Sequence, residues 1–251
     1  MTRVLKIGGR PQTDPTLPAL IAESWDAVSG AIIVHGGGDE ISALQKALGV
    51  ESQFIEGRRV TTAQDVDIVR MALSGTANKR LVSALVHEGV RAVGLSGEDA
   101  SLIAATPIDT ERMGHVGSPT RINSSLLLHL IDGGYLPVVS PVSRNVGHEL
   151  GPALNVNADD AAAAIAIAVE ADELTIVSDV PGVLVNGEPV RTLTCGGARA
   201  LIANGGASGG MQAKLVAAIA AVDGLVPRVR ITDLAGIKDH ARGTQLVPGT
   251  E

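Results

Sequence analysis

The 251-residue sequence contains a single cysteine, Cys195, and aromatic residues make up only 1% of it. One thiol excludes an internal disulfide, and with no second thiol it is a poor candidate for a metal or redox centre. So few aromatic rings leave little surface on which bases could stack, and the formal charge of −7 also argues against a nucleic-acid partner. The histidines show no metal-ligand spacing, so we expect no structural metal.

Long apolar runs are also missing. No segment approaches the roughly 20 apolar residues that a membrane-spanning helix needs, and residues 3–7 are typical of a strand rather than of a secretory signal. We therefore expect a cytoplasmic protein with no membrane partner. Two phosphate motifs are absent: no glycine precedes a lysine, which excludes a P-loop, and Ile41 replaces the last glycine of a dinucleotide-binding G-x-G-x-x-G.

The strongest local signal is an apolar run at residues 31–34 that leads into His35 and three consecutive glycines. The run predicts a buried parallel strand, and residues 39–48 show the periodicity of an amphipathic helix. Because the first amides of a helix have no internal partners, glycines at this junction favour an anion-binding turn. The alternative is a tight turn capped by Asp39 with no ligand.

Strand and helix patterns alternate along most of the chain, which predicts an α/β fold. We expect an open, mainly parallel, twisted sheet sandwiched by helices, as a single domain over residues 1–251. Two lobes would share the sheet, one over about 1–150 and the other over about 151–251. Strands are expected at 3–7, 31–34, 90–95, 136–142, 174–177 and 229–231, and 244–247 could add an edge strand. A hairpin is expected at 54–62 and short antiparallel strands within 101–118. Helices are expected at 20–28, 39–48, 62–89 in two parts, 122–131, 155–169, 199–203 and from 211 onwards.

Four polar glycine loops follow predicted strands or precede predicted helices, at 8–9, 36–38, 178–182 and 205–210. Ligands of open α/β sheets bind beyond the carboxyl ends of the strands, so these loops could converge on one crevice. Lys6 and Lys214 lie beside two of them, and Asp159 or Asp179 could orient the lysines. Phosphoryl transfer typically uses backbone amides and cations that bind phosphate, and it needs few side chains that react covalently.

Each of these residues also has a simpler interpretation. Lys6 could be a solvated charge at a strand end, Asp159 a first-turn helix acid and Asn155 a helix cap. Arg59 could keep the hairpin soluble, and His35 is expected to be a hydrogen-bonded residue of its turn. The order of the motifs along one chain favours the functional interpretation.

That order resembles the amino acid kinase family over nearly the whole chain. Among its members, the sequence is most similar to those that phosphorylate the side-chain carboxylate of N-acetyl-L-glutamate with ATP, a step of arginine biosynthesis. The motifs that carry the resemblance are Lys6-Ile7-Gly8-Gly9, His35-Gly36-Gly37-Gly38, Gly57-Arg58-Arg59-Val60-Thr61, Asn155-Val156-Asn157-Ala158-Asp159, Ser178-Asp179-Val180-Pro181-Gly182-Val183-Leu184 and Gly209-Gly210-Met211-Gln212-Ala213-Lys214.

The resemblance implies a role for each matched residue. Lys6 and Lys214 would stabilise the transferred phosphoryl group, with Asp159 holding both lysines. Arg59 would bind the α-carboxylate of N-acetyl-L-glutamate. Gly37, Gly38 and Asn155 would complete the substrate site, which would lie mainly in the lobe of about 1–150. The ATP site, mainly in the other lobe, would use Gly8, Gly9, Asp179, Val180, Pro181, Gly182, Val183, Leu184, Gly206, Ala207 and Ser208, with Mg²⁺ held mainly through the phosphates.

Two alternatives stay open. The acceptor could be an N-acetylated or carrier-linked aminoadipate of lysine biosynthesis, because one methylene changes pocket discrimination by only ~1–3 kcal/mol. Alternatively, the chain could be a non-catalytic sensor of a nucleotide or amino acid. The presence of Lys6, Lys214 and Asp159 argues against a sensor, which has no need of groups that stabilise a transition state.

The sequence departs from the family pattern in two places. Arg10 stands where a small residue is more common, and we hypothesise that it modulates the acceptor site. Arginine-inhibited hexameric relatives carry a helix before the first strand, and this sequence shows none. The resemblance therefore implies a homodimer that is insensitive to arginine.

Overall fold

The computed structural model describes residues 1–25, 30–55, 57–147 and 151–249. Most of the strands form one eleven-stranded sheet, and two short hairpins stand apart from it. The strands are β1 (Arg3–Ile7), β2 (Ala31–His35), β3 (Phe54–Ile55), β4 (Arg58–Arg59), β5 (Ala92–Gly97), β6 (Ile103–Pro107), β7 (Val116–Ile122), β8 (Leu136–Asn145), β9 (Leu154–Val156), β10 (Glu173–Val177), β11 (Leu184–Val185), β12 (Glu188–Pro189), β13 (Thr192–Thr194), β14 (Arg228–Thr232) and β15 (Thr244–Val247).

The helices lie on both faces of this sheet, so the expected α/β architecture is confirmed. They are α1 (Gly9–Gln12), α2 (Leu17–Ser24), α3 (Gly38–Ala47), α4 (Ala63–Val69), α5 (Asn78–His87), α6 (Thr110–Met113), α7 (Ser124–Asp132), α8 (Ala158–Ala168), α9 (Cys195–Ala203) and α10 (Gly209–Asp223), with a π-helix at Arg70–Ala77 and 3₁₀ turns at Asp99–Ser101 and Leu234–Ile237. None of the helices in the described residues combines the length and the apolar composition of a membrane-spanning segment.

The centre of the sheet is parallel. The order is β13-β15-β14-β10-β1-β2-β8-β6-β7-β9, and β5 also pairs with β8. In register, Ile7 at the end of β1 lies beside His35 of β2 and Val177 of β10. The loops that follow these three strands therefore begin side by side at one edge of the sheet, which is where the sequence placed the ligand site.

Side-chain alternation on β1 decides which helices meet its polar residue. Val4 packs in the core cluster that α8 and α10 share, whereas Leu5 and Ile7 pack on the other face against α2 and α5. Since alternate residues of a strand point to the same face, Lys6 lies on the same side as Val4. It therefore faces α8 and α10.

The first helices differ from the prediction. A helix was expected at 20–28 after a proline-rich delay, but one turn, α1, begins directly after β1, and α2 already begins at Leu17. Pro11 and Pro18 both lie in a first turn, where the missing N–H would have no intrahelical partner, so they are compatible with helix there. Residues 26–28 of the predicted helix lie outside the described residues.

Other boundaries also moved. The two helices predicted within 62–89 form one continuous helical segment, joined by the π-helix. The predicted helix at 122–131 begins at Ser124, because Ile122 still belongs to β7. Within 101–118, a turn of helix, α6, separates the expected strands. The segment 244–247 is a strand, but β13 forms the edge, so β15 is covered on both sides.

Candidate active site

Lys6 and Lys214 meet at one carboxylate. The ammonium nitrogen of Lys6 lies 2.8 Å from Oδ1 of Asp159, and that of Lys214 lies 3.6 Å from Oδ2. Lys6 and Asp159 are 5% and 4% exposed, respectively. The side chain of Lys214 is 14% exposed. The cluster holds two cations and one anion, so it carries a net positive charge inside the protein.

The protein perturbs the charges of this cluster. Burial lowers the pKa of Lys6, although the neighbouring Asp159 opposes that shift. Burial on its own would raise the pKa of Asp159, but the charges of Lys6 and Lys214 hold it below its usual value. Asp159 is therefore an anion at neutral pH, and the excess positive charge is stabilised further by any anion that enters the site.

Three elements of secondary structure supply this cluster. Lys6 comes from β1, Asp159 from the first turn of α8 and Lys214 from the second turn of α10. Asn157 caps α8 by accepting a hydrogen bond from the amide of Asp159 at 2.8 Å. Alanines of both helices are buried in the core that the helices share, and their small size lets the elements pack closely. These alanines are Ala161, Ala162, Ala166, Ala217, Ala218 and Ala221.

Two glycine turns face each other beside the cluster. A methyl group at Gly9 would lie 3.8 Å from the amide nitrogen of Gly38. Gly37 has φ = +155°, and a methyl group there would come within 2.6 Å of Leu73, so this position requires glycine. Because Gly9 and Gly38 are the first residues of α1 and α3, their amides have no intrahelical partner and are suited to binding anions.

One cavity, of about 220 Å³, opens on the Lys6 side of the cluster. We call it the acceptor-side cavity. All the residues that the sequence assigned to the substrate line it, together with two of the three catalytic candidates. They are Gly37, Gly38, Arg59 and Asn155, with Lys6 and Asp159. Apolar walls come from Ile41, Phe54, Leu73, Val116, Pro141 and Val156.

A second cavity, of about 350 Å³, opens on the Lys214 side. We call it the nucleotide-side cavity. Its lining includes Gly8, Gly9 and Asp179 from the predicted ATP site, as well as Arg10. Within this cavity, Nη1 of Arg10 donates a hydrogen bond to Oδ2 of Asp179 at 2.9 Å, and both side chains are exposed. Arg10 does not line the acceptor-side cavity, although the sequence suggested a role there.

The remaining residues of the predicted ATP site lie outside both cavities. Val183 is buried in the core, and its amide donates to Oγ1 of Thr244 at 2.8 Å. Ala207 is also buried, and its amide donates to the carbonyl of Leu201 at 2.9 Å. The residues that line neither cavity are Val180, Pro181, Gly182, Val183, Leu184, Gly206, Ala207 and Ser208; their assignment to ATP stays a prediction.

Arg59 is held more tightly than the sequence suggested. Nη1 donates to Oε1 of Gln45 at 2.5 Å and to Oγ of Ser52 at 2.6 Å. Nη2 donates to the carbonyl of Gly38 at 2.9 Å and to Oγ of Ser42 at 2.8 Å. These partners fix the guanidinium in the cavity wall. Sequence reasoning missed them because no motif links positions 42, 45 and 52 to position 59.

His35 holds the glycine turn through its ring nitrogens. Its Nδ1 lies 2.8 Å from the carbonyl oxygen of Gly36, and its Nε2 lies 3.0 Å from Nδ2 of Asn78. An uncharged ring with the proton on Nδ1 satisfies both contacts. Burial lowers the pKa of His35 to about 4, so the ring is neutral at neutral pH. As expected, His35 is a hydrogen-bonded residue of the turn.

Among the described residues, no group of three or more His, Cys, Asp or Glu side chains is placed to hold a metal ion. Asp39 and Asp179 do line the nucleotide-side cavity. Carboxylates of this kind fit Mg²⁺, which usually binds proteins through one or two carboxylates while the phosphates of its substrate supply other ligands.

Known proteins resemble the chain over almost all of its length. Acetylglutamate kinase of Chloroflexus aurantiacus is 43% identical over 249 residues, which cover 98% of this chain and 96% of that protein. Acetylglutamate kinase of Geobacillus kaustophilus is 40% identical over 232 residues, covering 92% of this chain and 89% of that one. The crystal structure of smu.665 from Streptococcus mutans superimposes with a TM-score of 0.89 at 29% identity, covering 100% and 99% of the two chains.

A sequence model of the amino acid kinase family matches residues 1–233. That span contains both glycine turns, the hairpin and all three members of the charged cluster. Since the match extends over most of the chain, and relatives at about 40% identity cover nearly all of it, this protein belongs to the amino acid kinase family.

Proposed function

We propose that the protein transfers the γ-phosphoryl group of ATP to the side-chain carboxylate of N-acetyl-L-glutamate, forming N-acetyl-L-glutamyl 5-phosphate for arginine biosynthesis. The observation that carries this proposal is the meeting of Lys6 and Lys214 on Asp159, between two cavities. The printed names of the relatives support the choice of acceptor.

The reaction needs little acid–base chemistry from the protein. A carboxylate with a reference pKa near ~4.3 is ionised at neutral pH, so the acceptor needs no general base to become a nucleophile. The main obstacle is the repulsion between this carboxylate and the phosphates. A site lowers that barrier when it carries a net positive charge and presents the unpartnered backbone amides of the first residues of helices.

The two substrates approach the charged cluster from different sides. We assign N-acetyl-L-glutamate to the acceptor-side cavity, which residues 1–150, β9 and the start of α8 line, and where Arg59 and Asn155 would bind its α-carboxylate. We assign the ATP phosphates to the nucleotide-side cavity, and the rest of ATP to residues 151–251. Lys6 and Lys214 would then stabilise charge on the phosphoryl group from its two sides, with Asp159 fixing both.

Mg²⁺ belongs to this proposal as the ion that accompanies ATP. It would be held mainly through the phosphates and water, with Asp39 and Asp179 available in the same cavity. When bound, it neutralises phosphate charge, which favours attack by an anionic acceptor.

The experiment is ATP-dependent acyl-phosphate formation, trapped as the hydroxamate with hydroxylamine. We expect N-acetyl-L-glutamate to give the highest kcat/KM in a panel that also contains N-succinyl-L-glutamate and N-acetyl-L-aminoadipate. Lys46→Met is a matched control for Lys214→Met, since Lys46 is an exposed lysine on α3 that lines neither cavity. Of these two variants, only Lys214→Met should lower the rate of product formation, by at least about 100-fold.

Other outcomes would replace the proposal. A higher kcat/KM for the aminoadipate acceptor would indicate lysine biosynthesis instead. Binding of ATP with no hydroxamate from any acceptor would indicate a sensor.

The quaternary state and location complete the proposal. We infer a cytoplasmic homodimer that arginine does not inhibit. Sedimentation should give about twice the 25.5 kDa mass of one chain, and millimolar arginine should leave the rate unchanged. A hexamer, or inhibition by arginine, would contradict this part alone.

A further inference from the structure

A short hairpin forms part of the acceptor-side cavity. Strands β3 and β4 pair antiparallel, with Ile55 opposite Arg58 and Phe54 opposite Arg59. Gly57, at the turn, has φ = +76°, and a methyl group on it would lie 3.5 Å from the carbonyl oxygen of Gly209. The hairpin therefore reaches from α3 across to the start of α10.

The two arginines of β4 hold this hairpin from opposite sides. Neighbouring residues of a strand point to opposite faces, so Arg58 and Arg59 have different partners. Arg59 bonds to α3, through the carbonyl of Gly38 and the hydroxyl of Ser42. Arg58 reaches α8 instead, where its Nη1 lies 2.7 Å from Oδ2 of Asp160.

The Arg58 ion pair is shielded from water and lies close to the reacting groups. The side chains of Arg58 and Asp160 are 23% and 16% exposed. Asp160 directly follows Asp159 in the first turn of α8, and Arg58 lines the same cavity as Lys6. Burial raises the pKa of the Asp160 carboxyl, and the positive charge of Arg58 opposes that rise, so each partner stabilises the other.

We propose that Arg58 is a positioning residue: by pairing with Asp160 it holds the hairpin against α8, so that the hairpin wall of the acceptor-side cavity is in place before the acceptor binds. This inference rests on the proposed function for its kinetic consequences. Without the pair, the acceptor would have to order the hairpin as it binds, and that cost would weaken its apparent affinity. The chemical step would be little affected, because Lys6, Asp159 and Lys214 remain in place.

The kinetic test compares Arg58→Ala, Asp160→Asn and the double variant with the wild type. We expect each single change to raise KM for N-acetyl-L-glutamate about tenfold, as for loss of one partner of a shielded charge pair, with kcat and KM for ATP within about threefold. The double variant should be no worse than either single one. Arg58→Lys, which keeps the charge, should recover part of the loss.

Arg199→Ala serves as the matched control. Arg199 forms an ion pair of similar length with Asp223, at 2.8 Å, but both side chains are exposed and line neither cavity. Its kinetic constants should equal those of the wild type. Unchanged acceptor KM in Arg58→Ala, equal losses for both substrates, or additive effects in the double variant would each overturn the proposal.

A measurement on the ligand-free protein separates this proposal from the proposed function. The amide of Val60 donates to the carbonyl of Gln53 at 2.9 Å, next to the paired residues of the hairpin. Hydrogen exchange at residues 57–60 should be at least tenfold faster in Arg58→Ala than in the wild type. Unchanged exchange would show that the pair does not hold the hairpin, even if the chain proves to phosphorylate a different acceptor.

Discussion

Two buried charge clusters lie at opposite ends of the same parallel strands. Lys6 lies near the carboxyl end of β1. Glu173 is the first residue of β10 and pairs with Arg3, which is three residues before Lys6 on β1. The Lys6 cluster contains two cations and one anion and adjoins cavities of about 220 and 350 Å³. The Glu173 cluster adjoins a cavity of only about 20 Å³.

In the Glu173 cluster, the buried guanidinium of Arg230 is met by a carboxylate and by backbone carbonyls. Nε and Nη2 of Arg230 donate to Oε1 of Glu173 at 3.1 and 3.0 Å, and the carbonyls of Gly236 and Arg242 accept further bonds at 3.1 and 2.9 Å. No comparable set of partners surrounds Lys6 among the described residues. Glu173 also has a second arginine nearby, Arg228 at 3.7 Å, but that side chain is half exposed, so water screens its charge. The Lys6 cluster holds two shielded cations against one anion, and a ligand can balance this excess charge.

Lys6→Met should break the functional cluster with the largest effect. We expect kcat to fall about 10²- to 10³-fold, as for loss of one preorganised electrostatic group. Thermal stability should fall less than in Glu173→Gln, because Lys214 stays beside the carboxylate of Asp159 and the repulsion between Lys6 and Lys214 is removed. Hydroxamate formation and thermal denaturation, measured on the same preparation, check both parts. A large loss of stability with intact turnover would reverse the assignment of the two clusters.

Glu173→Gln should have the opposite effect. It leaves Arg230 charged and buried without its carboxylate, which costs about 3–5 kcal/mol of unfolding free energy. The KM values of the folded fraction should equal those of the wild type, since the cluster lies at the other end of the strands. Denaturant unfolding measures the first quantity and steady-state kinetics the second. A shift in either KM would show that the two ends are coupled.

The pH dependence of stability should depend on His35. Its pKa is about 4 in the folded chain and near ~6.5 when unfolded, so between these values only the unfolded state binds the proton. Stability should therefore fall as the pH falls through this window, by about 2 kcal/mol from pH 7 to pH 5. His35→Asn keeps a donor for the carbonyl of Gly36 but has no titrating ring, so the part of the pH dependence that His35 causes should disappear. An equal pH slope in both proteins would contradict it.

Arg10→Ala should have the smallest effect. Its pair with Asp179 is exposed and so contributes little to stability. Since Arg10 lines the nucleotide-side cavity, we expect KM for ATP to rise about two- to fivefold through the loss of one cation near the phosphates. KM for the acceptor should not change. An effect confined to the acceptor would instead support the role that the sequence suggested, and unchanged kinetics would exclude both roles.

The sequence predicts the central sheet well because its signals are local. Buried runs such as residues 31–34 and the glycines after them identify both the strands and the loops at their ends. Lys6 and Asp159 follow from the order of the motifs, and the pleat of β1 explains why they meet.

What the sequence missed depends on contacts between distant positions. The partners of Arg59 come from positions 42, 45 and 52, and Asp160 meets Arg58 across about 100 residues. The π-helix after Val69 keeps the same apolar periodicity as an α-helix, so no pattern distinguishes it. The prolines near residues 11 and 18 suggested a delayed helix because their place within a first turn is visible only once the helix start is known.

The central claim is that Lys214 stabilises charge in the transition state rather than binding the acceptor. It is tested most directly in Lys214→Ala, by measuring kcat by hydroxamate formation and the dissociation constant of N-acetyl-L-glutamate by calorimetry. We expect kcat to fall at least about 100-fold while the dissociation constant stays within about threefold. Equal losses in both quantities would contradict it.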